Sequence, residues 1–412
     1  MREGWAEKKL SEICEGKITD GTHQTPKYFD RGYIFLSSKN VTSGVIDWEN
    51  VKYLDESQHI EMQKRLSPRI NDILLAKNGT TGVAAIVDKD IIFDIYVSLA
   101  LLRPSEKIMP RLLWYFINSL IAKKQFNKRL KGVGVPNLHL KEIREVVIPY
   151  PERLTEQKHI VAILDEAFEG IDKAVANAEK NLANARELFE SYLNSIFTQK
   201  GEGWVEKTLK QVSVDFGRGK SKHRPRNDPK LYGGPYPFIQ TGDVRNCDHI
   251  ILTSSQSYND AGLAQSKLWP KGTICITIAA NIAETGILGF DSCFPDSVIG
   301  IVVDKTQTTK DFVEYLLQSM KALIKAKGKG SAQDNINLAT FENELFPFPG
   351  LEEQEEIVIR LNELSANTTN LEAIYQKKLI ALAELKQSIL QKVFAGELTA
   401  EDTTTIKDEA VA

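Results

Sequence analysis

The chain has 412 residues, of which 42% are hydrophobic and 26% charged, and its formal net charge is −3. That length calls for two or more domains, and that composition supports packed cores, which excludes wholesale disorder and a surface coated throughout in positive charge. Four cysteines without a CxxC pair or Cys/His cluster (Cys14, Cys247, Cys275, Cys293), a charged N-terminus without an apolar core and a most apolar run, 112–122, that is short and contains Asn118 and Ser119 predict a reduced cytoplasmic protein with no zinc site, signal peptide or membrane span.

From the N-terminus, β-rich runs at 34–36, 73–76, 83–87 and 97–102 predict short strands, with Asn78-Gly79 as a turn signal. Residues 112–130 carry a helical apolar period, and Pro149 and Pro151 punctuate the exit from this segment. The stretch 156–197 then organises the chain. It has no proline and one glycine, Gly170, and its apolar residues fall at Ile160, Leu164, Ala167, Ile171, Ala174, Ala178, Ala185, Leu188, Tyr192 and Ile196. The steps are mostly four and three, the seam of a coiled coil, interrupted at Asn181. Such a helix is roughly 60 Å long, and Glu156 suits the positive end of its dipole.

The second half predicts the same order. Strands fall at 238–240, 274–278, 287–290 and 298–303, a helix at 312–326, and Pro347 and Pro349 precede a second long helix at 351–393. Its seam is Ile357, Leu361, Leu364, Leu371, Tyr375, Leu382, Leu385 and Ile389, with Thr368 and Lys378 as polar intruders. Neither long helix can hide its stripe alone, and the nearest partner for each is the other. The tail after Gly396 has no apolar period, which predicts loose order.

The correspondence extends to the letters. GWAEKKLSEI at Gly4 answers GWVEKTLKQV at Gly203, and Trp204 follows Trp5 by 199 positions. LKEIREVVIPYP, ending at Pro151, answers LATFENELFPFP, ending at Pro349, and TEQKHIVAIL from Thr155 answers EEQEEIVIRL from Glu353. The chain therefore reads as a tandem duplication of an α+β globular unit and a long helix: 1–154, 155–199, 200–350, 351–396 and a tail, 397–412.

Motifs that carry chemistry are missing. FGRGKSKHRP has Val214 where a phosphate loop needs its first glycine, and GVGVPN has Asn137 where GxGxxG needs its third. There is no HExxH, no GxSxG and no Asn/Asp-Pro-Pro-aromatic run, and the six histidines are dispersed. This pattern favours a binding protein over an enzyme.

Basic, polar loops are the positive signal. No acid lies between Glu106 and Glu142, or between Glu314 and Asp334, although lysines cluster in both stretches. A third patch runs from Arg218 to Arg226. For any single residue a solvated loop is the plainer reading. The recurrence of a basic helix-to-glycine patch at corresponding places in both halves points instead to nucleic acid, with Lys and Arg on phosphates and amides, Arg and Lys on base edges. Candidate DNA contacts in the first half are Lys17, Thr22, His23, Thr25, Lys39, Asn40, Lys77, Asn78, Lys131 and Asn137. In the second they are Arg218, Lys220, Lys222, His223, Arg224, Arg226, Gln240, Lys327, Lys329 and Gln333.

The GWxxKxLxxV openings, the P-x-P…EQxxI junctions, the KVFAGELT ending at Lys392 and the phrases GRGKSKHRPRNDPKLYGG and YPFIQTGDV resemble the DNA-specificity subunit of type I restriction–modification systems over essentially the whole chain. That resemblance implies two target-recognition domains, each reading half of a split DNA sequence, separated by two long antiparallel helices with a pseudo-two-fold relation. It implies two docked methyltransferase subunits bringing S-adenosylmethionine and, where present, translocase–endonuclease subunits using ATP and magnesium, with no catalysis and no cofactor in this chain. The rival reading is a coiled-coil scaffold that joins proteins and never touches nucleic acid; salt-dependent binding of duplex DNA separates the two.

Overall fold

The structure, a computed structural model, describes residues 3–130, 137–279, 282–321, 324 and 338–397. The chain divides into two compact units, Met1–Glu179 with Gln376–Ala412, and Lys180–Tyr375. The division falls inside both long helices, Leu154–Gln199 and Leu351–Phe394, so each unit combines one globular part with a segment of each helix. Among the described residues no helix is long and apolar enough to cross a membrane.

In the first unit the strands are β1 (Trp5–Lys9), β2 (Thr19–Asp20), β3 (Tyr33–Leu36), β4 (Lys52–Leu54), β5 (Ile73–Ala76), β6 (Ala84–Ile86), β7 (Phe93–Ile95), β8 (Leu99–Leu102) and β9 (Val147–Pro151). They form a β2-β8-β5-β6 sheet, a β4-β3-β7 sheet and an antiparallel β1-β9 pair that joins the two ends of the globular part. The runs ILLA and LALL are apolar at every position because each side faces a core. Ile73, Leu75, Ala100 and Leu102 pack toward the long helices, while Leu74, Ala76, Leu99 and Leu101 pack toward Phe93 and Ile95.

The second unit repeats this plan with β10 (Val205–Lys207), β11 (Ser213–Arg218), β12 (Tyr232–Phe238), β13 (Ile250–Ile251), β14 (Gln256–Tyr258), β15 (Leu268–Trp269), β16 (Ile274–Thr277), β17 (Thr285–Leu288), β18 (Ser292–Cys293), β19 (Val298–Val303) and β20 (Phe346–Phe348). The order β11-β19-β16-β17 reproduces β2-β8-β5-β6, and β14-β12-β18 reproduces β4-β3-β7 down to the parallel central step. Strands β13 and β15 are additions to these two sheets.

The EQ pair at the start of each long helix ties the helix to its globular part. Trp5 Nε1 donates to Glu156 Oε1 at 3.0 Å, and Trp204 Nε1 to Glu353 Oε1 at 2.9 Å. Gln157, fully buried, accepts from Met109 N at 2.8 Å and donates to the Lys107 and Pro151 carbonyls at 2.9 and 2.8 Å. Gln354 accepts from Thr308 Oγ1 at 2.7 Å and donates to the Gln307 and Pro349 carbonyls at 3.1 and 2.9 Å. The bonds to Pro151 and Pro349 satisfy buried carbonyls at the point where the strand exit turns into a helix.

Several sequence expectations change. The 112–130 helix is two helices, Pro110–Asn118 and Leu120–Asn127, because the Ser119 hydroxyl caps the second by accepting from Ala122 N at 3.3 Å. The helix expected at 312–326 begins at Lys310 and is described as a continuous element only to Ser319, and the tail after Glu397 lies outside the described residues. On the first long helix the expected seam is buried through Ala185 apart from the half-buried Ala174, but Leu188 is exposed and Leu193 and Phe197 are buried in place of Tyr192 and Ile196. A straight helix drifts relative to a 3.5-residue repeat, and from Phe189 onward the covering surface is the core around Phe312 and Tyr315. On the second helix Thr368 is buried, and its hydroxyl donates back to the Leu364 and Ser365 carbonyls at 3.0 Å each. Lys386 pairs with Asp172 in the first unit and Arg186 Nε with Glu372 Oε2 at 2.9 Å in the second, so advancing along one helix means retreating along the other and the pair is antiparallel.

Candidate nucleic-acid interface

In the first unit the loop after β2 begins at Gly21, where a Cβ would lie 1.8 Å from the Ile95 carbonyl oxygen; glycine is required for the loop to cross β7 this closely. Thr22 N donates to Ile95 O at 3.1 Å and Val97 N to Thr22 O at 2.9 Å. Tyr96 N donates to Leu36 O at 2.8 Å, Ser38 N to Ser98 Oγ at 2.9 Å, and Lys77 N to Ser98 O at 3.0 Å. Leu138 N donates to Lys77 O at 2.8 Å, beside an antiparallel bridge between Asn78 and Asn137. This chain of contacts gathers Thr22, Lys39, Lys77, Asn78 and Asn137 around the Ile95–Ser98 turn, although they are scattered from position 22 to 137 in sequence.

His23, Thr25 and Lys39 are exposed there. His23 and Thr25 line a cleft of about 490 Å³ between the Gly21–Pro26 loop and the Glu56–Arg65 helix. Two candidates have other jobs, and a third lies elsewhere. Asn40 is buried; its side chain accepts from Ser37 N at 2.9 Å and donates to the Asn50 carbonyl at 3.0 Å, which fixes its own turn. Lys77 is buried and its ammonium points inward, 2.9 Å from Asp20 Oδ2. Lys17 is exposed at the other end of β2 and does not join the cluster. The side-chain oxygens of Asn78 and Asn137 are buried without a partner. Lys131 lies outside the described residues.

The second unit builds the equivalent place with different chemistry. Gly219 follows β11 as Gly21 follows β2, and a Cβ on it would lie 2.2 Å from the Phe294 carbonyl oxygen. Gly219 N donates to Val298 O at 2.9 Å, and Ile278 N donates to Ser297 O at 3.0 Å as Lys77 N does to Ser98 O. Arg218, Lys220 and Lys222 are exposed with no side-chain partner among the described residues. Arg224 and Arg226, by contrast, brace their own loop. Arg224 Nη1 donates to the Ser221 and His223 carbonyls at 2.6 and 2.8 Å, and Arg226 Nη2 to both Asp296 oxygens at 2.7 and 2.8 Å. His223 Nε2 sits 2.9 Å from Asp228 Oδ2, a carboxyl that Lys230 and then His223 hold below its ordinary range. Gln240 Nε2 donates to Gln256 Oε1 at 2.6 Å. Lys327, Lys329 and Gln333 lie outside the described residues.

Two participants carried no sequence signal. Gln58 clamps the first loop, accepting from Lys27 N at 2.9 Å and donating to Lys27 O at 3.0 Å. Arg65 Nη2 donates to Asp20 Oδ1 at 2.9 Å from the wall of the cleft. Both sit on a helix more than thirty residues from the loop they hold, so no local pattern connects them.

The family described as "Type I restriction modification DNA specificity domain" matches the chain twice, over residues 2–180 and 201–381. Similar curated proteins include the type I restriction enzyme StySPI specificity subunit of Salmonella potsdam, 22% identical over 97% of this chain and 90% of that protein. Another is the MjaVIII specificity subunit of Methanocaldococcus jannaschii, 27% identical over 81% of this chain and 80% of that protein. Among solved structures, a chain from a study of complex assembly and conformational transition of the type I R-M system matches with TM-score 0.77 and 20% identity, covering 97% of this chain and 99% of that one. The HsdS subunit from Thermoanaerobacter tengcongensis matches with TM-score 0.60 and 20% identity, covering 97% and 98%.

Proposed function

The chain belongs to the type I restriction–modification DNA specificity family, with two copies of the domain, and on that premise we propose that each globular part reads one half of a bipartite, asymmetric DNA target. The two long helices set the spacing of the half-sites and dock two methyltransferase subunits. The chain catalyses nothing itself: S-adenosylmethionine enters with the methyltransferase subunits, and ATP and magnesium with translocase–endonuclease subunits where these are present. The assembly acts in the cytoplasm, where its DNA is; the four cysteines are free thiols, which suits a reducing compartment.

The observation that carries this reading is one scaffold with two surfaces. The Gly21 and Gly219 loops leave equivalent strands and cross equivalent turns, yet one presents Thr22, His23 and Thr25 and the other Lys220, Lys222 and His223. A duplicated protein with two unlike readers fits an asymmetric target, whereas identical half-readers impose a palindrome. Candidate contacts in the first half are Thr22, His23, Thr25, Lys39, Asn78 and Asn137, and in the second Arg218, Lys220, Lys222 and Gln240. The test is co-expression with the cognate methyltransferase subunit, followed by sequencing of modified adenines in host DNA. The expected result is an asymmetric motif in two parts with a fixed spacer; a palindromic motif, or none from an assembled complex, overturns the reading.

A further inference from the structure

We propose that Arg65 is a base-reading residue of the first unit and that Asp20 is the positioning residue that aims it. The inference rests on the first unit being a DNA reader. Asp20 ends β2, one residue before the Gly21 crossing, and is 2% exposed. Its carboxylate gathers two cationic side chains and an imidazole: Arg65 Nη2 at 2.9 Å and His23 Nε2 at 3.2 Å on Oδ1, and Lys77 Nζ at 2.9 Å on Oδ2. Lys77 is buried, while the Arg65 side chain is 49% exposed and lines the cleft. Arg65 commits Nη2 to Asp20; Nε and Nη1 have no partner among the described residues. The other carboxylates of the cleft are engaged. Asp94 accepts from Gln63 Nε2 at 2.8 Å and lies 2.7 Å from His59 Nδ1, and Glu61 pairs with Lys64 at 2.9 Å.

The arrangement exceeds what the fold needs. In the second unit Arg218 stands where Asp20 stands and Ile278 where Lys77 stands, and the same sheet forms around an apolar side chain. Taking a carboxylate and an ammonium out of water is costly. Lys77 already neutralises Asp20, so the tie to Arg65 adds orientation rather than charge balance. A phosphate can be met by a mobile cation, although the fork of arginine fits it too; the acceptors of a base edge demand a guanidinium held in one direction, and guanine O6 and N7 are the set that arginine matches best. The ligand is therefore a guanine edge of the first half-site.

The experiment uses the complete chain assembled with its methyltransferase subunits, as wild type, Arg65→Ala, Arg65→Lys and Asp20→Asn, and reads each half of the methylation consensus separately. Arg65→Ala should degrade preference at one guanine-containing position of one half-site by about tenfold to a hundredfold and leave the other half intact. Arg65→Lys should not restore it, and Asp20→Asn should degrade the same position. If Asp20→Asn fails to fold, because it leaves Lys77 buried beside a neutral amide, the half-exposed Arg65 decides alone. Two results overturn the proposal: an unchanged consensus in assembled Arg65→Ala, or a uniform loss of affinity with a shallower salt dependence and an unchanged consensus, the mark of a phosphate contact. A wild-type complex without a bipartite consensus would instead overturn the reader assignment on which the inference rests.

Discussion

Gln157 shows how much one side chain can settle. Its amide completes hydrogen bonds to three backbone groups, at Lys107, Met109 and the buried Pro151, and Gln354 occupies the same place in the second unit. Truncating it to alanine leaves the buried Pro151 carbonyl without a partner and removes two part-buried bonds, so Gln157→Ala should cost on the order of 2 kcal/mol, read as a lower urea midpoint of the chain. His249 makes a pH-dependent contribution. Burial pulls its pKa down, but Asp311, 3.4 Å from Nε2, and Glu314, 2.7 Å from Nδ1, outweigh burial and raise it from 6.5 to about 9. A folded-state pKa above the unfolded one stabilises fully below about pH 6.5, and that contribution is lost as pH rises through about 9. The melting temperature of the wild type should therefore fall more steeply between pH 6.5 and 9.5 than that of His249→Gln, and parallel curves would remove this role. Asn40 and Lys77 belong to the same scale: an amide and a cation in a polar loop look like DNA contacts, and only burial reveals that they hold the loop.

At the scale of elements, the strand-to-loop crossings are the tight points. A Cβ at position 219 would lie 2.2 and 2.5 Å from the Phe294 and Pro295 carbonyl oxygens, backbone atoms that cannot step aside singly. Gly219→Ala should cost roughly 1–3 kcal/mol and blur one half-site, the one that Arg65→Ala leaves intact. Methylation sequencing of the two variants side by side checks this; degradation of the same half by both would contradict the assignment of one reader to each unit. The long helices were legible as elements because they carry no proline and a sustained apolar stripe. The end of the first seam was less so, because Leu193 and Phe197 join a cluster that holds Phe312 and Tyr315 of the globular part as well as Ile357 and Leu361 of the other helix, and periodicity does not say which surface covers a stripe.

At the scale of the molecule, the proposed function makes the spacing between half-sites a property of helix length. Each heptad adds roughly 10 Å of helix, about three base pairs of duplex. Inserting one heptad into each long helix, near the positions where the two units divide, should lengthen the spacer in the methylation motif by about three base pairs. An unchanged spacer in an assembled complex would show that the helices do not measure it.

What the sequence determined alone was the duplication, the two long helices, the short central strands and the family, because repeats, periods and motifs are local or self-referential patterns. The tertiary structure decided which charges meet. Asp20, Arg65 and Lys77 lie far apart in the chain and join only when β2, β5 and the Glu56–Arg65 helix pack around one turn. Electrostatic partners depend on distance in space and on exclusion of water, and neither quantity is written in the order of residues.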